Sequence, residues 1–240
     1  MLNSASHFTG LAMFLTLYRL LDGIGRPGGA DARTLWVIGG TVAAIASLRS
    51  HYLAAATIAV AAFWFLQDRS EPVLEKIRAL GQAGVSGVIL LAPWMALLWR
   101  SSGTPLYPFM HGNHQPGFEN YSAPLSQSGH IDFVLATFAD PGIALFAAPV
   151  VICFLFRRNV AGFALYIGAI SVTVILAWIF TYSDPLNIHR YVAPFLNAAF
   201  IGTTAGLARH ILAGLPPGES HRRVGDGVIA AVLIGLLAVV

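Results

Sequence analysis

Arg190 and Tyr191 stand side by side in PLNIHRYVAPFLN, residues 185–197, where a short polar stretch runs into an apolar one. Arginine presents a planar fork of donors that matches phosphate oxygens. A helix expected to begin at this pair would add free backbone N–H groups and the positive end of its dipole, and both favour an anion. Asp184 and His189 lie on the same short loop. The competing use of Arg190 is an ordinary one: snorkelling to lipid headgroups, or pairing with Asp184. Arg49 and His51, in the break Leu48-Arg49-Ser50-His51, are expected at the same level, in position to add to such a site.

A second polar stretch, residues 100–140, holds Arg100, Tyr107, His111, His114, Glu119, His130 and Asp132. A connection of that length is usually functional or disordered, and its prolines and aromatics argue for an ordered loop on the membrane surface. Its Arg, Tyr, His and Glu side chains are candidates for substrate contacts. His111 and His114 have a spacing at which two imidazoles meet one divalent ion, with Glu119 as an oxygen donor, but zinc sites need a further ligand on a defined scaffold. No metal or cofactor is therefore expected. Carboxylates for acid–base work are limited to Glu119, Asp132, Asp140 and Asp184, none paired at short spacing. A catalytic base is one of these or lies outside this sequence.

The elements that hold these residues follow from composition. Of 240 residues, 56% are hydrophobic and only 10% charged, with mean hydropathy +0.70. Soluble domains carry about 25% charged residues. A helix needs about 20 apolar residues to cross a bilayer, and a chain without strand-type alternation satisfies its backbone in lipid only as helices. The expectation is an all-α, polytopic transmembrane bundle in one domain, 1–240. Its eight apolar segments lie near 8–21, 35–48, 51–67, 83–99, 141–156, 160–181, 191–212 and 227–240. Ile131 to Phe138 is expected as a helix in the outer interface. Asp140-Pro141 reads as a cap followed by proline in the first turn of the fifth segment. Pro194 is expected in the first turn of the seventh. The last segment stops at Val240 without a polar flank, and the first begins within about seven residues of Met1, so the chain is expected to continue at both ends. The lone cysteine, Cys153, excludes a disulfide framework within the chain.

Basic residues set the orientation. Arg69, Lys76 and Arg78, then Arg157 and Arg158, then Arg222 and Arg223, alternate with stretches that hold only Arg100 and Arg190. The positive-inside rule places the first groups in the cytoplasm, together with Arg19, Arg26 and Arg33 by alternation. The Arg49 turn, the 100–140 loop and the Arg190 loop then face outward. The net charge of +3 is spread among these connections and gives no basis for nucleic-acid binding.

Three stretches carry a resemblance. Trp99-Arg-Ser-Ser-Gly-Thr-Pro-Leu-Tyr-Pro-Phe109 resembles the W…GNP-x-YPF loop of bacterial polytopic glycosyltransferases of the GT-C superfamily, with Thr104 where asparagine is more usual. His189-Arg-Tyr-Val-Ala-Pro-Phe195 is similar to the arginine–tyrosine–proline stretch that begins a later helix in those proteins. Residues 39–56, GGTVAAIASLRSHYLAAA, resemble their hairpin with a basic residue at the bend. The resemblance implies a multi-pass protein of the bacterial inner membrane. Such enzymes transfer a sugar from a polyprenyl-phosphate carrier to a glycan, lipid or protein acceptor outside the cytoplasm. It implies that Arg190 and Tyr191, with Arg49, hold the carrier phosphate. The family's catalytic carboxylate sits in the first outer loop, which residues 1–7 are too short to form. Rival expectations are an O-antigen polymerase or ligase, a transporter, and an assembly subunit without catalysis.

Overall fold

The computed structural model describes residues 4–24, 31–49, 51–67, 72–105, 127–157, 159–179 and 185–213. Among the described residues every regular element is helical. The order is α1 (Ser4–Ile24), α2 (Ala32–Leu48), α3 (His51–Leu66), α4 (Val73–Ser102), α5 (Gln127–Ala139), α6 (Pro141–Arg157), α7 (Val160–Ile179) and α8 (Pro185–Ala213). Three of them, α4, α7 and α8, are long and apolar enough to cross a membrane, and a fourth span results if the bent pair α5–α6 is taken as one. The shorter apolar helices α2 and α3 have 17 and 16 residues, about 24–26 Å at 1.5 Å per residue. The expected segment 227–240 lies outside the described residues.

The helices are built as the local chemistry directs. Asp31 caps α2, its carboxylate accepting from the Thr34 N–H at 2.8 Å. Hydrogen bonding to the Thr34 side chain, and after it this bond from the Thr34 amide, holds the Asp31 carboxyl below its usual range. Asp140 caps α6 through the Gly142 and Ile143 amides at 2.8 and 3.2 Å, with Pro141 in the first helical position, where its missing N–H costs nothing. The chain bends by 76° there. Asn159 caps α7 through the Gly162 N–H at 2.9 Å. Gly103 ends α4 in the left-handed region, φ 74°, and donates to the Trp99 carbonyl at 2.9 Å, a conformation that costs glycine little.

Two expected boundaries move. Residues 68–82 were expected as a cytoplasmic loop, yet α4 already begins at Val73. Glu75 favours a first turn and pairs with Arg78 at 4.0 Å. At 30 residues the helix outruns the roughly 20 that a bilayer needs, so its charged first turns extend past the apolar stretch. The helix α8 starts at Pro185, not near Tyr191. Pro194 is therefore interior to α8, and Arg190 and Tyr191 sit past its first turn. The stretch 100–140 is likewise partly helical, with the end of α4 and the whole of α5 inside it.

The core runs through the bundle from Phe14, Leu17 and Leu21 of α1 to Phe63 of α3, Leu165 and Val172 of α7, and Ile188, Val192 and Phe195 of α8, all buried. The apolar windows of α7 and α8 are 61% and 56% buried, against 17% for α4. So α7 and α8 are central. The helix α4 is peripheral and packs along α2. Small residues let α2 and α4 approach: a Cβ on Gly39 would overlap the Ala83 carbonyl and the Ser86 hydroxyl. Ser86 donates to the Trp36 carbonyl at 2.7 Å. Close approach through small residues with a side-chain hydrogen bond across the pair is how helices associate in lipid. The outward side of α4 exposes Val85, Val88, Ile89 and Leu97, apolar surface that suits hydrocarbon. Cys153 is half-buried in α6.

Candidate functional site

The end of the bundle where α2 passes into α3 and α8 begins gathers residues far apart in sequence. Arg49 closes α2 in an extended conformation, which turns the chain sharply so that α3 starts at His51. Both guanidinium groups lie over one ring. Arg49 Cζ is 4.8 Å from the Tyr191 centroid and Arg190 Cζ is 4.9 Å from it. Arg190 also donates from a terminal nitrogen to the Tyr191 hydroxyl at 3.0 Å. The imidazole of His51 meets the Tyr191 ring edge-on at 4.8 Å and the Tyr52 ring at 5.0 Å.

The cluster rests on an aromatic floor. Tyr52, 2% exposed, packs edge-on against Phe14 at 5.6 Å and Phe195 at 5.5 Å, and Phe14 meets Phe195 at 4.0 Å. Gly168 of α7 makes room for this floor, since a Cβ there would come within 2.8 Å of the Phe195 ring. Four helices, α1, α3, α7 and α8, thus fix the site from below.

Electrostatics explain what such a site is suited to hold. The two guanidiniums share a ring, so their charges lie within about 10 Å of each other, a separation that 0.1 M salt screens only in part. The ring quadrupole offsets some of this repulsion, by about 0.5–2 kcal/mol per cation. Arg49 is half-buried, and among the described residues it has no ion pair. An anion placed near both guanidiniums would offset repulsion between them.

The expected site residues divide accordingly. Arg49, Arg190 and Tyr191 come together, with His51. His189 is half-buried on α8 beside Arg190. Arg100 is exposed in the last turn of α4, where it suits the negative end of the helix dipole, and among the described residues nothing links it to the cluster. Tyr107, His111, His114, Glu119 and Asp184 lie outside the described residues. The anion-binding helix start expected at Tyr191 is corrected: by that point the backbone amides are inside α8 and bonded within it. Asp140 caps α6, as Asp140-Pro141 led one to expect, and Asp132 is exposed on α5.

Sequence reasoning did not anticipate Tyr52. Its hydroxyl donates to the Arg190 carbonyl at 3.4 Å. The signal was available: a proline at 194 frees the carbonyl four residues earlier, which then needs a donor. Among the described residues no three His, Cys, Asp or Glu side chains converge as metal ligands do.

Compared with known proteins, the chain matches no family model, no curated protein and no solved structure.

Proposed function

We propose that the chain is a multi-pass protein of the bacterial inner membrane with eight membrane segments. Its outer end binds the phosphate of a polyprenyl-phosphate-linked sugar between Arg49 and Arg190. On this proposal it belongs with glycosyltransferases of the GT-C class, which pass the sugar to a glycan, lipid or protein acceptor outside the cytoplasm. The observation that carries it is the convergence of two guanidiniums from α2 and α8 on the Tyr191 ring, at an end of the bundle that the basic-residue pattern assigns to the outer face. A lipid phosphate enters such a site along the membrane with its isoprenoid tail still in hydrocarbon. During transfer the two cations would stabilise the charge that develops on the departing phosphate.

A second reading has its own support. The contacts that join Arg49, Tyr191 and Arg190 bring together two guanidiniums and a phenol, groups that bind a phosphate without serving as a general base. A non-catalytic lipid-phosphate-binding subunit fits this equally. The two separate in one experiment on the full chain in proteoliposomes. Capture of a photoreactive polyprenyl phosphate should fall about 10-fold or more in Arg49→Gln and Arg190→Gln, the loss expected for one charged hydrogen bond. Unchanged capture in both variants would sink the phosphate site. Sugar transfer from a polyprenyl-phosphate donor by the wild type then decides between enzyme and binding subunit.

A further inference from the structure

A groove of about 670 Å³ opens between α1, α2 and α4, away from the Arg49–Arg190 cluster. That volume lies within the range of small-molecule sites, about 300–1,000 Å³. Its walls include Met13 of α1, Trp36, Val37 and Ala44 of α2, and Leu90 of α4. Two of the three threonines on the walls turn their hydroxyls back on their own helices: Thr16 donates to the Ala12 carbonyl at 2.9 Å and Thr41 to the Val37 carbonyl at 2.8 Å. The surface they leave is methyl and backbone Cα, so the walls are apolar despite these residue types.

One end of the groove is charged. Arg33 lines it, on the first turn of α2, where a cation opposes the helix dipole. Helix chemistry therefore does not account for it. Among the described residues Arg33 has no ion pair; the nearby Asp31 carboxylate accepts from the Thr34 amide and attracts Arg33 only at longer range. From Arg33 to Ala44 the groove follows α2 for about 16 Å, close to half of a hydrocarbon core of about 30 Å. An apolar channel one monolayer deep with a cation at its aqueous end matches one anionic lipid in length and is complementary to it in charge.

We infer that this groove binds an anionic phospholipid of the cytoplasmic leaflet, with its phosphate at Arg33 and one acyl chain laid along α2 between Met13 and Leu90. This inference rests on the membrane placement proposed above and not on the polyprenyl-phosphate site, which lies on the opposite face. Phospholipid at this position would fill the space between α1 and α4 along α2 from Arg33 to Ala44, which the described residues leave open.

The test uses the full chain released from vesicles of equal phosphatidylglycerol and phosphatidylcholine, with bound lipid counted by native mass spectrometry. Wild type should retain phosphatidylglycerol about fivefold over phosphatidylcholine, the preference one basic residue confers near a membrane surface. Arg33→Gln should abolish the preference. Arg78→Gln, at a side chain 73% exposed on α4, should keep it. Ala44→Phe should displace lipid of both kinds. Equal retention of both lipids by wild type, or a preference that survives Arg33→Gln, overturns the inference. A photocrosslinker at Val37 gives an independent answer. Adducts with lipid support the site, whereas adducts with residues 227–240 or with a second copy of the chain assign the groove to protein.

Discussion

The Tyr52 hydroxyl reaches the Arg190 carbonyl at 3.4 Å, and Pro194 is the reason that carbonyl is open. Proline has no N–H to return to the residue four earlier, and its ring presses on the same carbonyl. In a membrane helix a freed backbone acceptor is costly, and neighbouring helices supply replacement donors. Here α3 supplies one, and in doing so it ties the turn that carries Arg190 to the turn that carries Arg49. The proline within α8 and the placement of the Arg49–Tyr191–Arg190 cluster are therefore one structural problem with one solution.

Tyr52→Phe should destabilise the bundle by about 1 kcal/mol, toward the low end for a buried acceptor because the bond is long. Pro194→Ala restores the intrahelical N–H, so adding it to Tyr52→Phe should recover much of that loss. Reversible unfolding in mixed micelles measures both. If Tyr52→Phe costs the same with alanine as with proline at 194, the hydroxyl is not serving that carbonyl.

The α2–α4 contact makes a different demand. A Cβ at Gly39 would meet the Ala83 carbonyl and the Gly87 amide, which are backbone atoms and cannot rotate away. Gly39→Ala should therefore push the helices apart and cost about 1–3 kcal/mol, the usual range for overpacking. Ser86→Ala removes only the bond to the Trp36 carbonyl and should cost about 0.6 kcal/mol, the average for such bonds between membrane helices. A Gly39→Ala effect smaller than that of Ser86→Ala would contradict the close approach.

Much of this was legible in the residues, and the remainder failed for identifiable reasons. Low charge and long apolar runs pointed to helices, the Asp140-Pro141 pair marked the start of α6, and the alternating basic residues put Arg49 and Arg190 at one level before any contact between them was known. The start of α8 was misplaced because hydropathy records where a helix enters lipid, not where its hydrogen bonds begin. Pro185 to His189 are polar enough to look like loop, yet Pro185 suits a first helical position. The same error shortened α4, whose charged first turns are helical outside the apolar stretch. Contacts such as the Asn159 amide donating to the Tyr18 hydroxyl at 3.1 Å join residues 141 apart in sequence and leave no local pattern to find.

Two substitutions at Tyr191 divide its roles. Tyr191→Phe keeps the ring for both cations and removes the hydroxyl that accepts from Arg190, whereas Tyr191→Leu removes the ring as well. Arg49 meets Tyr191 through the face of its ring. A double-mutant cycle of Arg49→Gln with Tyr191→Leu should give a coupling of about 0.5–2 kcal/mol, and the cycle with Tyr191→Phe should give almost none. Equal coupling in the two cycles would mean that Arg49 is held by something other than the aromatic face.

Asp140 is the candidate carboxylate whose structural duty is defined, and its substitutions separate a cap from a base. Asparagine accepts the same backbone hydrogen bonds at an N-cap, whereas alanine does not. Asp140→Asn should leave both stability and any sugar transfer near wild type. Asp140→Ala should destabilise by about 1 kcal/mol and reduce transfer only in proportion to the folded fraction. A general base behaves otherwise: asparagine cannot take a proton, so the loss would be of order 10²–10⁴ in rate with no loss of stability. Thermal unfolding and transfer measured on the same preparations distinguish the two patterns, and the second would return Asp140 to the chemistry that its bonds to Gly142 and Ile143 argue against.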